Sequence, residues 1–182
     1  MNCGQAVKCT SMSDHWLPSP ALTGRTHDWL TRPGSLTAHL RRHCPALNVL
    51  RLAQGHGRPY ADELAPLRLP RPQRVLVREV VLRCHDTPLV FAHSVTPLGS
   101  LSGPWRALGR LGNRPLGEAL FLDPRVLREP LRYRRLDNRH PLYRAAAANI
   151  PNAPRQLWAR RARYLLDGAP LLVSEVFLPG LT

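Results

Sequence analysis

Two apolar stretches of the chain are each interrupted by charge: Val75-Leu-Val-Arg-Glu-Val-Val-Leu82 and Leu171-Leu-Val-Ser-Glu-Val-Phe-Leu178. Their length and richness in β-branched residues predict strands. Side chains alternate across a strand, so Arg78 shares a face with Leu76, Val80 and Leu82, while Glu79 points to the other side. Glu175 likewise shares a face with Leu171, Val173 and Phe177. An ionised group taken out of water costs several kcal/mol unless it is paired and hydrogen-bonded. Arg78 and Glu175 must therefore meet each other, another protein group or a ligand. An ion pair that only stitches the sheet, Arg78 with Glu79 or Glu175, satisfies the same pattern.

The first strand runs through His85-Asp-Thr-Pro88 into Leu89-Val-Phe-Ala-His-Ser-Val-Thr96, which predicts an antiparallel hairpin. The text from Arg163 to Phe177 repeats that design, with Asp167-Gly168 as its turn. Asn48-Val-Leu-Arg-Leu52 adds a short strand. Two hairpins and a further strand, with helical text between them, predict an α+β protein: one antiparallel sheet with helices covering one face.

Ser35 or Thr37 is placed to cap a helix containing Leu40. Between the hairpins, 97–121 reads as two short helical pieces broken at Gly112-Asn113, a helix-turn-helix cover. Pro115 suits a first helical turn, leaving nearby backbone N–H groups free for an anion or ligand oxygen. Ala145 to Ala148 favours helix. Residues 1–27 are polar and proline-punctuated and read as a flexible leader, with the folded domain spanning 28–182.

Composition narrows the class. At 182 residues and 43% hydrophobic content the chain suits one domain with a sizeable core. Its net charge of +14 comes from 26 basic residues against 12 acidic ones, with Lys8 the sole lysine. Such a field favours anions, whether nucleic acid or a small polycarboxylate. No apolar run nears the roughly 20 residues of a membrane helix, and the first residues lack the apolar core of a signal peptide. A cytoplasmic monomer without stable membrane insertion is expected. Cys3, Cys9, Cys44 and Cys84 form no Cys-x-x-Cys pair, so free thiols are expected. His39 and His43 with Cys44 have helical spacing but lack the glutamate of His-Glu-x-x-His, and no metal site is read there. Arg160 and Arg161 read as surface charge or as guides for an anion.

Taken in order, Val77-Arg-Glu-Val-Val-Leu82, Leu101-Ser-Gly-Pro104, Arg114-Pro-Leu-Gly117, Trp158-Ala-Arg-Arg-Ala-Arg163 and Leu171-Leu-Val-Ser-Glu-Val-Phe-Leu-Pro179 resemble the chorismate pyruvate-lyase family. The likeness runs from about Asp28 to Pro179 and includes Asp28-Trp-Leu and Gly34-Ser-Leu-Thr37. It implies elimination of pyruvate from chorismate to give 4-hydroxybenzoate, the first committed step of bacterial ubiquinone synthesis, without a cofactor. It also implies an antiparallel sheet whose ligand is enclosed beneath helix-turn-helix flaps. Carried over by motif, Arg78 holds the aromatic carboxylate, Leu116 contributes a backbone contact, Glu175 meets the ring hydroxyl, and Leu36 is an apolar pocket residue. Relatives often carry Arg-Ser or Arg-Thr where this chain has His93-Ser94, preceded here by Ala92, so ligand passage or product affinity is expected to differ.

Two other classes fit some of these features. The effector-binding domains of one transcription-regulator family resemble the lyase fold, but about 27 residues ahead of the matched region are too few for a winged helix. Tyr133-Arg-Arg and Trp158-Ala-Arg-Arg-Ala-Arg-Tyr164 mix aromatic and basic residues as nucleic-acid sites do, yet no nucleic-acid motif appears.

Overall fold

The structure, a computed structural model, describes residues 16–110, 112, 114 and 116–182. Seven antiparallel strands form one sheet: β1 Leu47–Gly57, β2 Val75–Cys84, β3 Thr87–Pro97, β4 Leu127–Arg128, β5 Arg132–Asp137, β6 Gln156–Leu166 and β7 Ala169–Phe177. Their order is β1-β2-β3-β7-β6-β4, with β5 also paired to β6. The two expected hairpins, β2–β3 and β6–β7, are the centre of this sheet. The chain turns between β6 and β7 in two residues, Asp167 and Gly168, whose φ values of 49° and 80° are those of a primed hairpin turn.

Helices α1 Arg25–Thr31, α2 Leu36–His43 and α3 Leu116–Leu122, with two short 3-10 turns at Leu98–Leu101 and Arg106–Arg110, cover the front face. Ser35 caps α2 as expected, its hydroxyl accepting from the Ala38 N–H at 3.3 Å. The back face is covered too, by α4 Pro141–Ala147 and by the segment around Leu64, Leu67 and Leu69. Alternation along each strand thus feeds two cores. Leu82, Val90 and Phe177 pack forward onto α1 and α2, while Phe91, Val176 and Ala159 pack backward onto Leu142 and Ala146.

Four expectations change. The stretch read as a leader is built into the fold from its sixteenth residue: Trp16 is buried, and Leu17 and Tyr133 exchange two backbone hydrogen bonds of 2.8 Å. Residues 1–15 lie outside the described residues, as do Asn113 of the expected break and Pro115 of the expected helical turn. β6 begins at Gln156, seven residues before Arg163, so the arginine-rich text there is strand rather than surface run. Upstream of it, Arg128 lies in β4, Arg132, Arg134 and Arg135 in β5, and Arg144 in α4.

Cys44 and Cys84 are joined in a disulfide rather than free. Cys44 caps the C-terminus of α2 and Cys84 ends β2, and pairing of β1 with β2 brings these two ends together. The 40-residue separation gives no local signal of that meeting, yet a cross-link of this span is worth about 4 kcal/mol on a chain-entropy model. Among the described residues, no helix is long and apolar enough to cross a membrane.

Candidate active site

A recess of about 540 Å³, including solvent at its mouth, opens on the front face between the sheet and helices α2 and α3. It exists because the strands place small side chains at its floor: Ala92 and Ser94 from β3, with Val80 and Val173 beside them. Gly34 to Thr37 at the start of α2 form one wall, and Leu116, Gly117, Leu120 and Phe121 of α3 form the roof. Gly117 is where the two helices approach, since a Cβ there would stand 3.1 Å from the Ser35 hydroxyl.

All four residues expected at the site line this one recess: Leu36, Arg78, Leu116 and Glu175. Arg78 pairs across the ladder with Ser94, and Glu175 pairs with Ala92. They therefore flank β3 from opposite sides, two strands and one pleat apart, which is roughly 10 Å across the strands and about 7 Å along them. From these positions both side chains line the same recess. Leu36 and Leu116 are both buried and supply apolar walls.

Arg78 is only 4% exposed. Its Nη2 donates to the Gly112 and Arg114 carbonyls at 3.2 and 3.0 Å, tying β2 to the segment leading into α3. Its Nε is buried with no partner, a donor left over for something else. Burial, then the charge of Arg51, lowers its pKa from the ordinary arginine value. No carboxylate pairs with Arg78 among the described residues, so the expected alternative of an Arg78–Glu79 or Arg78–Glu175 stitch is not what the fold builds.

Glu175 instead pairs with Arg160, the residue opposite it on β6, whose Nε donates to Glu175 Oε2 at 2.5 Å. Arg160 is 2% exposed and lines the recess. Its Nη1 donates to the carbonyls of Leu30 and Arg32 at 3.2 and 3.1 Å, where α1 ends and helix carbonyls lack internal partners. Tyr164, four residues on and on the same face of β6, also lines the recess; burial first and then Glu175 push its hydroxyl up to about 12. Reading Arg160 and Arg161 as surface charge was wrong. With β6 extended back to Gln156, alternation puts Arg160 in line with Ala162, Tyr164 and Leu166, which is the signal that finds it.

The back of β3 carries a second set of buried charges. His93 Nδ1 lies 2.9 Å from Glu79 Oε1 and its Nε2 lies 3.3 Å from Glu63 Oε1, with Tyr60 stacked on the ring at 4.8 Å. The second contact is off-line for a hydrogen bond and counts as an ion-pair contact. Burial opposes protonation of His93, but the two carboxylates outweigh it and raise the imidazole to about 9. Arg161 is 3% exposed, contacts Asp62 at 3.1 Å and stacks over Trp16 at 3.9 Å. Burial works against the Asp62 charge, yet His140, Arg161 and Trp16 together hold its carboxyl well below the ordinary range. The aromatic and basic text of 158–164 thus turns two of its arginines inward, one to each face.

The expected absence of a metal site concerns residues that have other partners. His39 Nε2 lies 2.7 Å from the Pro33 carbonyl oxygen and His43 Nδ1 lies 2.9 Å from that of His39. Cys44, Cys84 and His85 bring three potential ligand atoms within 4.8 Å, but the two sulfurs are bonded to each other.

In fold, the chain is similar to the C-terminal domain of PhnF, with a TM-score of 0.57 at 14% identity over 74% of this chain and 84% of that one. It is also similar to a GntR-family transcriptional regulator from Bacillus cereus, with a TM-score of 0.52 at 12% identity over 75% and 94% of the two chains. In sequence the likeness is far higher to proteins named "probable chorismate pyruvate-lyase". That of Thiobacillus denitrificans is 49% identical over 91% of this chain and 89% of its own, and that of Nitrosomonas europaea 44% identical over 91% and 94%. That of Aromatoleum aromaticum is 47% identical over 92% of this chain and 93% of its own. The family model of chorismate lyase matches residues 12–181, and the chain belongs to that family.

Proposed function

We propose that this protein is a chorismate pyruvate-lyase, which splits chorismate into 4-hydroxybenzoate and pyruvate. The observation that carries the reading is the convergence of Arg78 and Glu175 on one recess, flanking a floor of small side chains. Chorismate has a ring carboxylate and, across the ring, a hydroxyl; between them hangs an enolpyruvyl ether with its own carboxylate. Arg78 grips the ring carboxylate: its planar guanidinium stays charged, and its unpartnered Nε is a free donor. The Leu116 backbone adds a donor on the same side, and Leu36 packs against the ring.

Glu175 accepts the ring hydroxyl, with Arg160 fixing its carboxylate from the other side. Loss of pyruvate aromatises the ring, so the thermodynamic pull is in the substrate, and the protein's task is to hold a reactive conformer and exclude water. These roles need no redox partner or metal. Because Arg78 also holds the Gly112 and Arg114 carbonyls, the ligand's carboxylate and the roof share one guanidinium, which favours a closed site and slow product release. A cytoplasmic monomer feeding ubiquinone synthesis is the setting we assign.

Purified protein incubated with chorismate tests the reading. Equal amounts of 4-hydroxybenzoate and pyruvate are expected. Formation of the 3-hydroxy isomer, or binding of chorismate without turnover, overturns it, the latter in favour of a sensing domain on the shared fold.

A further inference from the structure

We propose that Arg160 is the subsite for the second carboxylate of the substrate, the one on the enolpyruvyl side chain, so that two arginines divide a dianion between them. The proposal rests on the lyase reading above and goes beyond it by assigning a pole of the ligand that Arg78, Leu116, Glu175 and Leu36 leave unattended.

Three observations converge. Arg160 is almost wholly buried yet lines the recess, and its donors are unequally used. Nε serves Glu175 and Nη1 serves the α1 carbonyls, whereas Nη2 has no hydrogen-bond partner among the described residues. A buried guanidinium with spare N–H groups beside a cavity is a donor set waiting for an acceptor. Position selects which acceptor. The hydroxyl and the enolpyruvyl ether stand on adjacent carbons of the chorismate ring, so the group hydrogen-bonded to the hydroxyl's partner stands beside the ether side chain. Arg160 is that group. Charge agrees: Arg51 beside Arg78 and Arg128 near Tyr164 add to the two lining arginines, against Glu175 alone among the described lining residues, and the field suits a polyanion.

The subsite has a chemical consequence. As the ether C–O bond breaks, its electron pair stays with oxygen and negative charge grows on the departing enolpyruvate, next to its carboxylate. A guanidinium held rigidly by helix carbonyls is preorganised for that charge. The ring carbon bearing the hydroxyl loses a proton as the ring becomes aromatic, and the enolpyruvate methylene gains one to give pyruvate, so protons and electrons balance. The 4-hydroxybenzoate left behind has no group for Arg160, so binding of substrate and of product should depend on it differently.

The test uses 3-(carboxymethoxy)-4-hydroxybenzoate, its side-chain methyl ester, 4-hydroxybenzoate and chorismate. The wild-type protein should bind the diacid about 10-fold or more tighter than the ester. Arg160→Gln and Arg160→Lys should abolish or shrink that preference and lower kcat/KM for chorismate about 100-fold and 10-fold respectively. Affinity for 4-hydroxybenzoate, which depends on Arg160 only through Glu175, should fall less than affinity for the diacid, and its retained binding also shows that the variants are folded. Equal binding of diacid and ester by the wild type overturns the proposal, and does so even if no Arg160 variant folds. Equal losses for diacid, ester and 4-hydroxybenzoate overturn it too, since Arg160 would then act only by holding Glu175. Failure of the wild type to convert chorismate is a different result and overturns the lyase reading itself.

Discussion

Both faces of the central strands bury charge, and they do so in opposite ways. On the back, His93, Glu63, Glu79, Arg161 and Asp62 are matched ion to ion, with Tyr60 and Trp16 stacked on the cations. On the front, Arg78 has only backbone carbonyls among the described residues, and Glu175 and Arg160 pair beside a cavity that the small side chains Ala92 and Ser94 leave open. The strand pattern is the same, a charge among apolar residues. What separates a structural network from a binding site is whether the protein completes the charges itself.

Breaking the back face should cost stability and spare binding. Glu63 is fully buried, and Glu63→Gln leaves His93 and Arg161 short of one anion. Removing one partner of such a set costs about 3–5 kcal/mol. Chemical denaturation should show that loss, while 4-hydroxybenzoate affinity below the melting temperature stays within a few-fold; a stable variant with lost affinity would reverse the two faces' roles.

Breaking the front face should do the converse. Arg78→Ala removes the carboxylate's partner at a cost of about 2–5 kcal/mol in binding, so kcat/KM should fall on the order of 100-fold or more. Pyruvate release measures it, and an unchanged KM for chorismate would refute the carboxylate assignment.

Acid and base sharpen the contrast. His93 is held protonated in the fold, at about 9 against an ordinary 6.5, by carboxylates that outweigh its burial. A raised folded-state value means its contribution is complete below about 6.5 and disappears as pH rises through 9. The shift corresponds to about 3 kcal/mol. Denaturation midpoints should therefore fall between pH 7 and 10 in the wild type and fall less in His93→Leu; equal slopes would show that the ring is neutral.

The smallest effect is expected from Glu175→Gln. The amide still accepts the ring hydroxyl but gives up the charge opposite Arg160, a loss of about 10-fold in turnover. Complete inactivity in the pyruvate assay would turn Glu175 from a positioning group into an obligatory proton carrier.

Much of the sheet was legible because hairpins are local. Asp167-Gly168 sits at its turn, and Ser35 caps its helix as read. The arginine-rich strand was missed over its first half because Gln156 to Ala162 carries arginines at both parities, and charge hides a period of two. Only the length of β6 and the burial of both Arg160 and Arg161 show that each face takes one. Trp16 was missed for a different reason: a single aromatic in polar text has no period at all, yet its indole packs under Arg161 and donates to Asp62 at 2.8 Å.

By itself the sequence determined the two hairpins, the strand that precedes them and the fact that Arg78 and Glu175 stand on apolar faces, because these follow from residue types and a period of two, whereas β4, β5 and the first half of β6 show no such period. The tertiary structure decided which faces meet. Pairing of β3 with β7 sets Glu175 opposite Ala92 and places it across β3 from Arg78, and pairing of β6 with β7 supplies Arg160. The meeting of Cys44 with Cys84 is of the same kind. Such contacts join residues tens of positions apart, and no local preference specifies them; they are settled only when the whole sheet assembles and each buried charge finds, or lacks, a partner.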